Sequence, residues 1–212
     1  MTANRSFRSL VALAVAVTLA ISGFCSVADA QPARAVAEEP GRVARYTEDR
    51  QLVRPGNWRE WIFVGMPVTP NALNGGKAVL PETQAVYIDP ASWKYWKENG
   101  AFREGTMFAV ELTLLQSDGA HEDGSTTEVI GRGFFQDDFS GLMFSVKDSE
   151  QFPNEPGNWA YFSSRIGAPE SEYPETMAPL PTDACNSCHQ AKGGEDWVFS
   201  QFYPILKAAR PE

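Results

Sequence analysis

The chain has 212 residues, with 18 Lys and Arg against 27 Asp and Glu and a formal charge of −9. That acidity argues against nucleic acid and anionic membrane surfaces as partners, and the length suits one domain with a real core rather than several.

Residues 1–30 read as a secretory signal peptide. Arg5 and Arg8 make a positive start, Leu10 to Phe24 is apolar or small almost throughout, and Ala28-Asp29-Ala30 offers a small-x-small cleavage site. A membrane anchor is the competing reading, but the apolar run is short for a span and no basic stop-transfer cluster follows it. A lipid attached at Cys25 is a third reading, disfavoured by Phe24 before it. Cleavage after Ala30 implies a periplasmic or otherwise exported protein with no membrane insertion. It removes Arg5, Arg8 and Asp29, which moves the charge to −10 and leaves Cys185 and Cys188 as the only cysteines.

Residues 31–55 read as a flexible leader, rich in Ala, Pro, Glu and Arg as far as Arg50. From 56 to 210 the expectation is a single mainly β (α+β) domain. Trp61 to Val64 and Ala85 to Ile88 look like short strands. Asp89-Pro90 is a helix start, a capping side chain followed by proline. The helix carries Trp93 and Trp96 and stops at Gly100. Gly105 to Gln116 reads as a long strand with Phe108, Val110, Leu112 and Leu114 on one face and Glu111 and Thr113 on the other. After a polar connection, Thr127 to Phe135 and Leu142 to Val146 read as strands that complete an antiparallel sheet. Between 152 and 182 only Trp159 to Phe162 suggests a strand. The tail then changes period: a short helix over Asp183 to Gln190, a second from about Glu195 with Val198, Phe199 and Phe202 along one face, and a separate turn after Pro204.

Cys185-Asn186-Ser187-Cys188-His189 carries the chemistry. Two cysteines three positions apart on a helical turn reach the two vinyl groups of one porphyrin, and the following histidine offers an imidazole to the iron; this is the attachment pattern of a single covalent haem c. A disulfide or thioredoxin-like pair would share the spacing, but the βαβ surroundings of such a redox site are missing. A structural zinc needs two more ligands, and the other histidine of the mature chain is the distant His121.

The iron's sixth position sets what it does. Only 23 residues follow His189 and none is Met. Upstream Met66, Met107, Met143 and Met177 are readier as packing residues, and His121 sits in a polar loop. A five-coordinate iron facing apolar walls is therefore the expectation, a state suited to small ligands such as NO. Phe63, Phe102, Phe108, Phe134, Phe135 and Phe144 are the candidate wall residues. Glu111 and Glu128 are candidate proton acceptors for a catalytic pocket, with surface placement the simpler reading of each.

These residues together resemble the cytochrome P-460 family, which includes cytochrome c′-beta. The likeness runs from about Trp58 to Pro204. It lies in Phe102-Arg103-Glu104-Gly105-Thr106, Met143 to Asp148, Gly157-Asn158-Trp159-Ala160-Tyr161-Phe162, the haem motif, Asp196-Trp197-Val198-Phe199 and Gln201-Phe202-Tyr203-Pro204. The resemblance implies an antiparallel β fold around a c-type haem, five-coordinate iron with His189 proximal, and a homodimer. Its members divide into hydroxylamine oxidisers with a lysine bonded to the porphyrin and NO-binding proteins without that bond. Relatives often read Lys-Glu where this chain has Val110-Glu111, which tilts the expectation toward NO binding. Lys94, Lys97 and Lys147 remain in the chain. The other outcomes are a haem oxidoreductase for hydroxylamine or NO, and a six-coordinate electron carrier. The acidic surface allows a basic redox partner protein.

Overall fold

The computed structural model describes residues 41–211; the signal-peptide reading and the first part of the leader lie outside the described residues. Two short strands, β1 (Arg45–Tyr46) and β2 (Leu52–Val53), fall inside the segment expected to be a flexible leader. Leu52 is fully buried there, so the fold takes up part of that segment because it has an aliphatic side chain to bury.

Strands β3 (Ile62–Gly65), β4 (Val68–Thr69) and β5 (Glu82–Ile88) follow, then helix α1 (Pro90–Asn99) and strand β6 (Met107–Leu115). Helix α1 is built at both ends as its residues dictate. The Asp89 side chain accepts from Ser92 N–H at 2.9 Å, and Gly100 closes the helix in the left-handed region with its N–H on Trp96 C=O. The second Asp89 oxygen accepts from Met107 N–H, also at 2.9 Å, tying the helix start to the first residue of β6.

Next come β7 (Thr126–Glu128) and β8 (Gly131–Gly133), a small hairpin, and then β9 (Gln136–Lys147) and β10 (Trp159–Ser163). The single strand expected over Thr127 to Phe135 is corrected here. Val129 and Ile130 have strand-like side chains but stand exposed at a turn, where Gly131 takes φ 128°. Strand β11 (Thr176–Met177) was not visible in the sequence and pairs with β2. The chain closes with α2 (Thr182–Lys192) and α3 (Pro204–Ala209).

All strand pairs are antiparallel. The main sheet runs β10-β9-β6-β5-β3, with β4 beside β5; β1, β2 and β11 form a second sheet. The pleat of the main sheet sends alternate residues to opposite faces, and each face is covered by different parts of the chain. One carries Val86, Ile88, Phe108, Trp159 and Tyr161, which pack with Trp96, Phe102, Val198, Tyr203 and Leu206. The other carries Ala109, Leu142, Phe144, Val146 and Phe162, packed with Leu52, Trp58, Trp61, Phe152, Tyr173 and Met177. Each fully buried side chain of this size contributes about 1.5–3 kcal/mol, so neither layer is dispensable. On the first face, Trp96 donates its indole N–H to Leu206 C=O at 2.9 Å, locking α1 to α3.

Candidate functional site

The motif helix α2 puts Cys185, Cys188 and His189 at positions i, i+3 and i+4, the spacing that shares one helical face. Cys185 is half-buried and Cys188 exposed, and both are free thiols. Burial pushes the Cys185 thiol above its ordinary value, with the neighbouring Cys188 adding to the effect. Asn186, between the cysteines, is buried and turns inward. Its Nδ2 donates to Glu155 Oε2 at 2.9 Å and to Trp159 C=O at 3.2 Å. Thr182 Oγ1 donates to the other Glu155 oxygen at 3.0 Å. One carboxylate and one strand end thus moor the motif helix to β10. Neither Asn186 nor Glu155 was singled out by sequence reasoning, since a polar residue inside CxxC carries no distinguishing signal.

The His189 ring packs against two aromatic rings, its centroid 4.6 Å from that of Tyr161 and 4.6 Å from that of Phe199. Its Nδ1 is 2.8 Å from Trp197 C=O. A carbonyl only accepts, so Nδ1 bears the proton and Nε2 carries the lone pair. Desolvation by burial holds the imidazole pKa below its ordinary value against the opposing pull of that carbonyl, which keeps the ring neutral and its Nε2 available as a ligand.

The carbonyl arrives through an unusual loop. A second tail helix was expected from about Glu195; instead there are two isolated turns, Glu195–Trp197 and Ser200–Phe202. Asp196 and Trp197 have φ of 51° and 60°, and Val198 is extended. The helical spacing of Val198, Phe199 and Phe202 is therefore coincidental. Pro204 does begin a separate helix, α3, as expected. Gly193 permits the tight exit from α2, because a Cβ there would run into the His189 and Trp197 carbonyls.

A cavity of about 40 Å³ opens beside His189, walled by Val86, Phe108, Val110, Ser145, Trp159 and Tyr161 from the sheet and by Val198, Phe199 and Tyr203 from the tail. Val110 faces it, as the alternation of β6 requires. The Trp159 indole N–H, in this wall and 1% exposed, has no hydrogen-bond partner among the described residues. A neutral imidazole with a free Nε2, two free thiols one turn of helix apart and an unpaired donor in the wall are a donor set that fits a c-type haem. The fit lies in these donors; the opening itself holds no more than a few water-sized molecules.

Of the six candidate phenylalanines, only Phe108 lines the cavity. Phe102 is buried behind it, stacked on Trp96 at 4.5 Å. Phe144 belongs to the core of the opposite face, Phe135 is half-buried beside the β7–β8 hairpin, and Phe63 and Phe134 are partly exposed. Among the wall residues that were missed, Trp159 and Tyr161 carry a readable signal: they are alternate residues of one strand.

The acidic candidates lie elsewhere. Glu111, expected at the surface, is 3% exposed on the opposite face. There it accepts from Arg59 Nη2 at 2.6 Å and Nε at 3.0 Å. A buried carboxylate needs such a partner, and β6 is covered on both faces. Glu128 is exposed on the hairpin, and His121 is exposed in its loop, 3.1 Å from Thr127 Oγ1. None of the four methionines lines the cavity: Met107 and Met177 are buried in the opposite core, Met66 is partly exposed and Met143 half-buried on β9. Lys94 and Lys97 are exposed on α1. Lys147 is held 2.5 Å from Asp196 Oδ2. No cluster of three or more His, Cys, Asp or Glu side chains suited to a metal ion occurs among the described residues, so the zinc reading finds no further ligands there. No helix among them is long and apolar enough to cross a membrane.

Compared with known families, residues 55–200, more than half of the chain, match the model of the family Cytochrome P460. No curated protein matches the chain.

Proposed function

Because the chain belongs to the cytochrome P460 family, a family of haem cytochromes, we propose that it is an exported mono-haem c-type cytochrome that binds NO or a related small nitrogen ligand. Cys185 and Cys188 would hold the haem through thioethers and His189 would be its iron ligand. The observation that carries this reading is the composition of the cavity wall beside His189. It contains no Lys, Arg, Asp, Glu or Met.

When bound, the haem would supply an iron able to take diatomic ligands. The chain supplies the rest. His189 presents a neutral Nε2 with its Nδ1 proton already committed to Trp197 C=O. Val86, Phe108 and Val110 keep the wall apolar, which disfavours water and charged molecules. The absence of a carboxylate from this wall favours ligand binding over proton-coupled oxidation of a substrate such as hydroxylamine, and the absence of a thioether from it favours an open sixth position over that of an electron carrier. At position 110 a valine supplies no amine for a bond to the porphyrin.

The signal-peptide reading of residues 1–30 supports export to the periplasm. Family likeness supports a homodimer, and the mature charge of −10 suits a basic redox partner.

The test is the ferrous absorption spectrum before and after CO. A high-spin c-type spectrum that shifts promptly with CO is expected. A low-spin spectrum with slow or absent CO binding would overturn the reading in favour of an electron carrier. A strongly red-shifted Soret band would replace it with a lysine-modified haem and hydroxylamine oxidation.

A further inference from the structure

We infer that Lys147 is a positioning residue for His189, acting through Asp196 and the Trp197 carbonyl; this rests on His189 being the haem ligand. Asp196 and Trp197 are two successive non-glycine residues in the left-handed region, at φ 51° and 60°. Strain of that kind persists only where the surroundings over-determine it. Here three contacts do so.

The first is an ion pair. Lys147 Nζ donates to Asp196 Oδ2 at 2.5 Å and to Phe102 C=O at 3.3 Å, with the two side chains only 18% and 25% exposed. The second is a ring seat. The Trp197 indole lies over Gly157, where any Cβ would collide with it. The third is a pair of backbone hydrogen bonds that close the loop, Gly194 N–H to Val198 C=O at 2.9 Å and Gly193 N–H to His189 C=O at 2.8 Å.

Among these, the ion pair alone refers the loop to the sheet by charge. Lys147 sits in β9 directly opposite Trp159 of β10, the strand on which the motif helix is moored. Holding Asp196, and Trp197 after it, in the left-handed region turns the chain so that the Trp197 carbonyl reaches His189 Nδ1 at 2.8 Å. That bond gives the imidazole partial imidazolate character and fixes its rotation about Cβ–Cγ. The sequence offers no hint of this, since Lys147 lies 42 positions before His189.

The experiment compares Lys147→Met, Asp196→Asn and Lys147→Arg with the wild-type holoprotein. The iron–histidine stretching band of the ferrous protein and the reduction potential are measured, with covalent haem content and thermal unfolding recorded alongside. Losing the pair loosens the Nδ1–H bond, so the Met and Asn variants move the band to lower frequency and raise the potential, and Lys147→Arg returns both toward wild type. Asp196→Asn keeps the side-chain shape and a residue that tolerates the left-handed region, so it carries the test alone if Lys147→Met does not fold. Haem-loaded Asn and Met variants with the wild-type band and potential overturn the inference and leave the haem assignment standing. A wild-type chain without covalent haem overturns the haem assignment first and the inference with it.

Discussion

The two faces of the main sheet show how differently one strand can be used. Val110 and Glu111 are neighbours in β6, yet Val110 walls the cavity beside His189 while Glu111 is buried against Arg59 on the other side. The His189 face is closed by the tail of the chain, through α2, the strained loop and α3. The Glu111 face is closed by segments before β5 and after β10 and by Phe152 between β9 and β10, with Arg59 lying over Trp58 and Phe139 at 5.0 and 4.5 Å. A second cavity, about 440 Å³, opens there among Arg59, Phe63, Tyr87, Glu111, Gln136 and Phe139. The larger cavity is thus on the face without the motif. Size alone points to the Glu111 face; the donor chemistry points to the His189 face.

That contrast can be broken most directly at the motif. Replacing Cys185 and Cys188 together by alanine should abolish covalent haem entirely, read as haem staining after denaturing electrophoresis. Stain retained by the double variant would refute the attachment.

The opposite face should matter for stability and not for the haem. Arg59→Ala leaves the Glu111 carboxylate buried without its partner, a loss of about 3 kcal/mol in chemical unfolding. Glu111→Gln should cost only about 1 kcal/mol, because the Arg59 side chain is 39% exposed and keeps Glu170 at 2.6 Å. Both proteins should retain the wild-type absorption spectrum. A displaced Soret band in either would erase the distinction between the faces.

On the His189 face, burial pushes the Tyr203 phenol from 10.0 up to about 12. Below pH 10 the phenol is neutral whether the chain is folded or not. Between pH 10 and about 12 only the unfolded chain ionises, so stability falls as pH rises, by roughly 2–3 kcal/mol across that window. Tyr203→Phe should flatten that part of the stability-versus-pH curve. An unchanged alkaline slope would mean that the phenol is not buried. The most local effect is expected at the mooring: Asn186→Ala should cost about 1–2 kcal/mol and speed amide exchange in 182–192 while exchange in β5 and β6 stays unchanged.

Much of this was legible because local rules and tertiary structure agree. Asp89, Pro90 and Gly100 delimit α1 by capping chemistry that needs no partner, and the alternation of β6 placed Val110 on the same side as Phe108. The misreadings share a cause. Val129 and Ile130 have the side chains of a strand, but a glycine with positive φ turns the chain at that point. Val198, Phe199 and Phe202 have helical spacing, but Asp196 answers to Lys147, far off in sequence, and the Trp197 ring to Gly157. Glu111 looked like a surface residue because its partner, Arg59, is 52 positions away. A sequence shows which residues want burial or charge neutralisation; it does not show which distant residue will supply it.

The position of the motif also sets an order of events. Every strand of the main sheet precedes Cys185 in the chain, and a chain that emerges N-terminus first offers its early segments to fold before its late ones. The wall with Phe108, Val110 and Tyr161 is therefore available before the thiols and the imidazole arrive. On the proposed reading, haem attachment would close the last segment of the chain over a surface built from earlier ones.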